Sequence, residues 1–191
     1  MTTLRAHFVT DRLRLGLDAD ALVARAARAA RDGVDVIQVR ERDLADGELL
    51  ALVRRVVAAT AGTAARILVN DRTDVAVAGR AHGVHLRGDS AAASRVRAIA
   101  PVGFTIGRSV HSAREIDVAV ADGASDYLMF GTVFASAGKP PGHPVAGLDA
   151  LREACRRSPL PVIAIGGIDP SRLDEIAHAG AAGFAGVGMF G

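Results

Sequence analysis

The stretch FGTVFASAGKPPGHPVAGL, residues 130–148, contains Lys139, the only lysine of the chain; the other 22 basic side chains are arginine. A compact ammonium on a flexible stem reaches an oxyanion in a way a planar guanidinium does not, and its pKa moves readily when water is excluded. Further residues with chemical potential fall in short clusters: Gln38, Arg40 and Arg42; Asn70, Asp71 and Arg72; His85, Arg87 and Asp89; Arg108, Ser109 and His111; Thr132. Gly166, Gly167, Gly186 and Gly188 follow towards the end of the chain. Cations with small glycines and few carboxylates describe a receptor for a small anion, in which backbone N–H groups approach a phosphate that a Cβ would keep away.

Several of these residues carry two readings. Arg40 could fork phosphate oxygens or pair with Glu41 or Asp71. Asp71 could hold Mg²⁺, which uses one or two carboxylates together with phosphate oxygens, or cap the helix that follows it. His85 alternates with Val84 and Leu86, so it could simply point into a barrel with its nitrogens satisfied. His111 opens a helix, where the macrodipole favours a neutral imidazole able to act as donor or base. His82 and His178 read as exposed, and His7 lies near the terminus. The six histidines show no tight metal-ligand spacing of the H-E-x-x-H kind. Cys155, the one cysteine, sits within the helical pattern LDALREACRR and reads as a buried helix residue rather than a nucleophile.

Positioning such clusters needs a scaffold, and the sequence alternates strand and helix from end to end. Strand patterns fall at HFVT (7–10), VDVIQVR (34–40), RILVN (66–70), GVHL (83–86), FTIGRS (104–109), DYLMFG (126–131), PVIAIGG (161–167) and AGFAGVG (182–188). Helical patterns lie between them at 18–33, 44–60, 74–80, 90–100, 112–123, 148–158 and 169–180, the last with Pro170 in its first turn. Strands this apolar are buried on both faces, which implies a parallel sheet. Eight such units imply a single-domain (β/α)₈ TIM barrel over residues 1–191, with the chemically interesting clusters at the C-terminal strand ends. A doubly wound open sheet would carry a glycine-rich turn after its first strand, where this chain has TDRLRL. No helix follows the eighth strand, so an exposed apolar groove is expected between the first and seventh helices, either because the chain is cut short or because a partner covers it.

Composition narrows the function. Half the residues are hydrophobic and 4% aromatic, and the formal charge is +2. With no basic block, no tryptophan and one tyrosine, nucleic-acid binding is not expected. The N-terminal MTTLRAHFVTDRLRL lacks a signal-peptide run, and no window approaches the ~18 apolar residues of a membrane span. With a single cysteine, a soluble cytoplasmic protein is expected.

Six segments together, VIQVRER (36–42), ILVNDR (67–72), GVHL (83–86), IGRSVHS (106–112), DYLMFGTVF (126–134) and VIAIGGI (162–168), resemble the thiamin phosphate synthase/TenI superfamily over essentially the whole chain. The resemblance implies a (β/α)₈ barrel of thiamin biosynthesis, usually a homodimer. Its synthase branch joins a hydroxymethylpyrimidine diphosphate to a thiazole phosphate with Mg²⁺ and loss of pyrophosphate. Its TenI branch isomerises a thiazole phosphate by acid–base chemistry without a cofactor. For the synthase, Gln38, Arg40 and Arg42 match its Gln-x-Arg-x-Lys pattern with arginine for lysine. Asn70 and Asp71 match its pyrophosphate and first Mg²⁺ positions, and Ser109 and Lys139 match its serine and lysine. Its second Mg²⁺ aspartate falls at Ser90, with Asp89 one place early. Arg108, the RER of strand two and FGxVF read like TenI, yet the TenI histidine falls at Thr132. His143, and after it His111, would then have to supply the proton. The expectation is a thiazole tautomerase. The alternatives are the synthase and, given Ser90 and Thr132, a non-catalytic protein binding a phosphorylated ligand.

Overall fold

The computed structural model describes residues 5–136, 140 and 142–190; Lys139 lies outside them. Eight strands, β1 (Arg5–Val9), β2 (Val36–Val39), β3 (Arg66–Asn70), β4 (Gly83–Leu86), β5 (Thr105–Val110), β6 (Tyr127–Phe130), β7 (Val162–Ile165) and β8 (Gly183–Gly186), pair with their sequence neighbours in parallel. Pairing of β8 with β1 closes the barrel. The (β/α)₈ fold expected from the sequence is therefore the fold of the protein.

Two apolar layers follow from the pleat. Outward residues such as Phe8, Ile37, Ile67, Val84, Ile106 and Leu128 pack beneath the helices. Inward residues Val9, Leu68, Tyr127, Met129, Ile163 and Ala185 fill the bore. Strands buried on both faces have no solvent side to polarise, so their sequences run nearly continuously apolar. Gly107 shows how the bore is filled: a Cβ there would lie 2.1 Å from the Tyr127 ring, so glycine on β5 lets the only tyrosine cross the barrel.

The helices are α1 (Arg12–Leu15), α2 (Ala19–Arg31), α3 (Asp46–Ala59), α4 (Thr73–Ala78), α5 (Ala93–Arg97), α6 (Ala113–Asp122), α7 (Gly147–Arg157) and α8 (Leu173–His178), the last entered through a 3₁₀ turn at Pro170–Arg172. In α2, Asp18 accepts from the Ala21 N–H at 2.8 Å, and Leu22, Ala26, Ala29 and Ala30 are buried. Alanine in that stripe lets the helix pack close to the sheet at little side-chain entropy cost. α1 was not expected: Asp11 caps it by accepting from Arg14 N–H, and Gly16 ends it at φ 66°. α5 is shorter than the helix expected at 90–100, because Ser90 is held in the preceding turn by Arg87.

The expected apolar groove beside the first helix is not open. Phe190 packs on Phe8 and Phe184, with ring centroids 5.6 and 5.9 Å apart, and its carbonyl accepts from Arg25 Nε at 2.5 Å. Phe8 and Phe184 are buried under it. No helix among the described residues is long and apolar enough to cross a membrane.

Candidate active site

At the C-terminal ends of the strands a cavity of about 1110 Å³ opens, lined by residues from all eight strand ends. The barrel brings most of the sequence clusters to it: Gln38, Arg40 and Arg42; Asn70; His85, Arg87 and Asp89; Ser109 and His111; Thr132; Gly166 and Gly167; Gly186 and Gly188. Arg108 is not among the lining residues.

β2 divides its end residues by the pleat. Arg40 and Arg42 line the cavity, whereas Glu41 between them is buried, accepting from Thr10 Oγ1 at 2.6 Å and from the Arg12 N–H. Neither partner expected for Arg40 is used: its Nη1 lies 3.3 Å from Asp11 Oδ2. Burial and the neighbouring Arg42 lower the Arg40 pKa from its usual value, as expected of a cation held partly out of water without full compensation. Such a group gains from an incoming anion. Gln38 donates to Asn70 Oδ1 at 3.1 Å, while its Oε1 has no partner among the described residues.

β1, β4, β5 and β6 build a polar string through the bore. His85 Nδ1 lies 2.9 Å from Tyr127 Oη, and Nε2 lies 2.8 Å from Ser109 Oγ. His7 meets both rings edge-on from β1, and its Nε2 has no partner among the described residues. Gln38 is the polar neighbour of His7, although no well-formed hydrogen bond joins them. Burial pushes both imidazoles down to about 3 and raises the Tyr127 phenol, so all three are neutral near pH 7. His85 thus has its nitrogens satisfied, and one of them orients the serine at the cavity floor. His7 and Tyr127 were missed in the sequence; their one signal is being polar residues inside apolar strand runs.

The arrangement around Asp71 differs from both sequence readings. Asp71 does not cap α4: Arg72 is the N-cap residue, and Asp71 itself sits at φ 62°. Arg72 is taken up by Asp46 and Asp74 at 2.5 and 2.6 Å. Asp71 Oδ1 accepts from the Ser90 hydroxyl, and Oδ2 lies 3.7 Å from Arg87 Nη1. Arg87 also forks Asp89, with Nε to Oδ1 at 2.9 Å and Nη2 to Oδ2 at 2.5 Å. Among the described residues no three His, Cys, Asp or Glu side chains gather as metal ligands. Mg²⁺ wants carboxylate oxygens it can share with phosphate. Here both oxygens of Asp71 face donors, its neighbour is a hydroxyl and Asp89 is locked to a guanidinium, so these residues as arranged do not fit the ion. Arg108 donates to the carbonyls of Gly88, Ser90 and Ala91 at 2.8, 3.3 and 2.7 Å, which ties this loop to β5.

On the opposite rim, Gly166 and Gly167 have φ of 103° and 61°. A Cβ on Gly166 would lie 2.5 Å from Thr132 Cγ2, and one on Gly167 2.2 Å from the Ala135 carbonyl oxygen. Glycine is required there by both conformation and space. Among the described residues neither glycine N–H donates to a backbone carbonyl, and both line the cavity. Gly188 has open space where a Cβ would go. His111 Nδ1 lies 2.5 Å from the Gly131 carbonyl oxygen. A carbonyl only accepts, so Nδ1 carries the proton in this contact. His143 Nε2 lies 3.4 Å from Thr132 Oγ1, while His143 itself stands outside the cavity lining.

Cys155 lies in α7, away from the cavity, and burial raises its thiol to about 11. The thiolate is the reactive form, and an exposed thiol has a pKa of about 8.5. Labelling of the native protein by a disulfide reagent at pH 8 is therefore expected to run roughly 100-fold slower than that of free cysteine. A rate equal to that of the urea-unfolded chain would contradict the burial.

A family model described as thiamine monophosphate synthase matches residues 6–190. The chain is 40% identical over 160 residues to a thiamine-phosphate synthase of Methanoculleus marisnigri, covering 84% of this chain and 75% of that one. It is 34% identical over 186 residues to a putative thiamine-phosphate synthase 2 of Aquifex aeolicus, covering 97% of each. Among solved structures, a thiamine phosphate pyrophosphorylase from Pyrococcus furiosus superposes with a TM-score of 0.81 at 32% identity, covering 97% of this chain and 86% of that one. A strand-end cavity of arginines and glycine amides, in a barrel matched along nearly its whole length, places the chain in the thiamine monophosphate synthase family, among the enzymes of thiamin biosynthesis.

Proposed function

We propose that the chain is a thiamine-phosphate synthase, joining a hydroxymethylpyrimidine diphosphate to a thiazole phosphate with release of pyrophosphate. The relatives support this over the tautomerase expected from the residues. The observation that carries it is that one cavity is lined both by arginines and by close-packed glycines. In the closed strand order β4 stands opposite β8, and β2 stands three strands from β7. Arg87 follows β4, Arg40 and Arg42 follow β2, and Gly166 and Gly167 follow β7, all on the cavity wall. Two anions imply two phosphorylated substrates, and about 1110 Å³ lies at the upper end of single-ligand pockets.

In this reading the thiazole phosphate is held by the glycine rim, and the diphosphate by the arginines, whose forks match phosphate oxygens. The thiazole nitrogen forms a bond to the pyrimidine methylene carbon as the carbon–oxygen bond to diphosphate breaks, and both bonding electrons leave with pyrophosphate. Negative charge accumulates on the departing oxygens, where pre-positioned guanidiniums are most effective. Ser109 stands at the cavity floor, held by His85. With Tyr127 donating to Nδ1, His85 Nε2–H donates to Ser109 Oγ and leaves the serine proton for the substrate. Lys139 is proposed as a further anion ligand on its sequence position alone.

A second reading, tautomerisation, is favoured by one contact, His143 beside Thr132. Incubation with pyrimidine diphosphate and thiazole phosphate in Mg²⁺ buffer separates the readings. Formation of thiamin phosphate and pyrophosphate supports the synthase. Isomerisation of a carboxythiazole phosphate that disappears in His143→Ala, without condensation, replaces it with the tautomerase. Tight thiazole-phosphate binding with neither reaction identifies a binding protein.

A further inference from the structure

Resting on the synthase reading of the cavity, we infer that Arg87 takes the place of a divalent cation at the diphosphate end, so that pyrophosphate binds this protein without metal. Arg87 lines the cavity between two carboxylates, forking Asp89 and reaching to 3.7 Å from Asp71. A divalent cation here would be held by those same carboxylates, and the Arg87 guanidinium already lies against both of them. Its planar fork is suited to phosphate as well as to carboxylate, and it is always charged.

The loop is built to keep it there. Ser90 Oγ accepts from the Arg87 N–H at 2.9 Å and donates to Asp71, so one hydroxyl joins the backbone of the cation to the carboxylate. Arg108 holds the next carbonyls of the same loop from outside. A second carboxylate at position 90 would demand a further cation; a hydroxyl does not. Asp71, Asp89 and Arg87 together carry a net charge of about −1, and Arg42, with the Arg40–Asp11 pair beside it, offsets that charge after β2 on the cavity wall. A dication entering between the carboxylates would meet Arg87 at contact range and would have to expel it.

The test is calorimetric titration with inorganic pyrophosphate, in EDTA and in Mg²⁺, on the wild type and on Arg87→Gln and Arg87→Lys, with circular dichroism to confirm that each variant is folded. Wild-type affinity is expected to agree within about threefold between the two buffers. Arg87→Gln is expected to lose at least tenfold in EDTA, and Arg87→Lys to lie between, since it keeps the charge and loses the fork. Pyrophosphate binding that vanishes in EDTA overturns the inference, as does a folded Arg87→Gln with wild-type affinity. Failure of the synthase reading is distinct: it shows as absence of thiamin phosphate in the Mg²⁺ assay. Metal-dependent pyrophosphate binding in an active synthase would reject the inference alone.

Discussion

Gly167→Ala is expected to weaken thiazole-phosphate binding by at least about 100-fold, while Gly188→Ala at the same rim leaves it within about twofold. Both glycines line the cavity, so proximity to the ligand does not separate them. Space does. A methyl at 167 would lie 2.2 Å from the Ala135 carbonyl oxygen and 2.8 Å from the Phe134 carbonyl carbon, both backbone atoms with no rotamer through which to yield. The φ of 61° adds roughly 1 kcal/mol for any L-residue. The β6 loop would have to retreat, carrying Thr132 and Ser136 of the cavity wall with it. That strain is common to the free and bound protein; the affinity falls through the displaced amide, and losing a hydrogen bond to a charged group costs up to roughly 3 kcal/mol, about two decades in affinity. At 188 a methyl meets nothing within 4 Å. Calorimetry with the thiazole phosphate on both variants, with melting curves to show that each is folded, makes the comparison. Equal affinities for Gly167→Ala and wild type would remove the glycine rim from the phosphate site.

Acidification from pH 7 to pH 5 is expected to reduce folding stability by about 4 kcal/mol through His7 and His85. Each has its pKa lowered by burial from 6.5 to about 3. The sign follows from where the protons go. Above pH 6.5 both histidines are neutral in the folded and unfolded chains and contribute no pH dependence. Below it the unfolded chain takes up protons that the folded barrel refuses until about pH 3, so stability is lost through that window. With an unfolded value of 6.5, each group stabilises the unfolded chain by about 2 kcal/mol at pH 5 relative to pH 7. Set against a typical domain stability of 5–15 kcal/mol, that is a large fraction. Glu41, raised by burial, opposes this loss, and His82, lowered by burial, adds to it; neither is shifted as far as the two bore histidines. Urea midpoints at pH 7, 6 and 5 measure it, and His85→Gln is expected to halve the loss. A midpoint that stays constant across the interval would show that these rings are not sealed in the bore.

The consequence for function is that the His85–Ser109 contact is a neutral one over the working pH range. A charged imidazole below an anionic substrate would have served as another electrostatic ligand. A neutral one can only orient the hydroxyl. The cationic work falls to the guanidiniums at the rim, whose charge does not titrate.

The sequence by itself determined the eightfold alternation, the closed parallel barrel and most of the cavity rim, including Gln38, Arg40, Arg42, Asn70, Ser109, Gly166 and Gly167. These are local matters: a strand buried on both faces must be apolar throughout, and the first polar or glycine residues after it mark its end. Tertiary structure alone decided what those residues touch. Strands without a solvent face do not reveal which of their residues look into the bore, so the His7–His85–Tyr127 string was invisible until β1, β4 and β6 were placed around one axis. Nor does an arginine announce its partner. Arg108 turned to three carbonyls, Arg40 to Asp11, and Arg87 to two aspartates, because a long side chain pairs with whatever the closed barrel brings within a few ångströms of its tip.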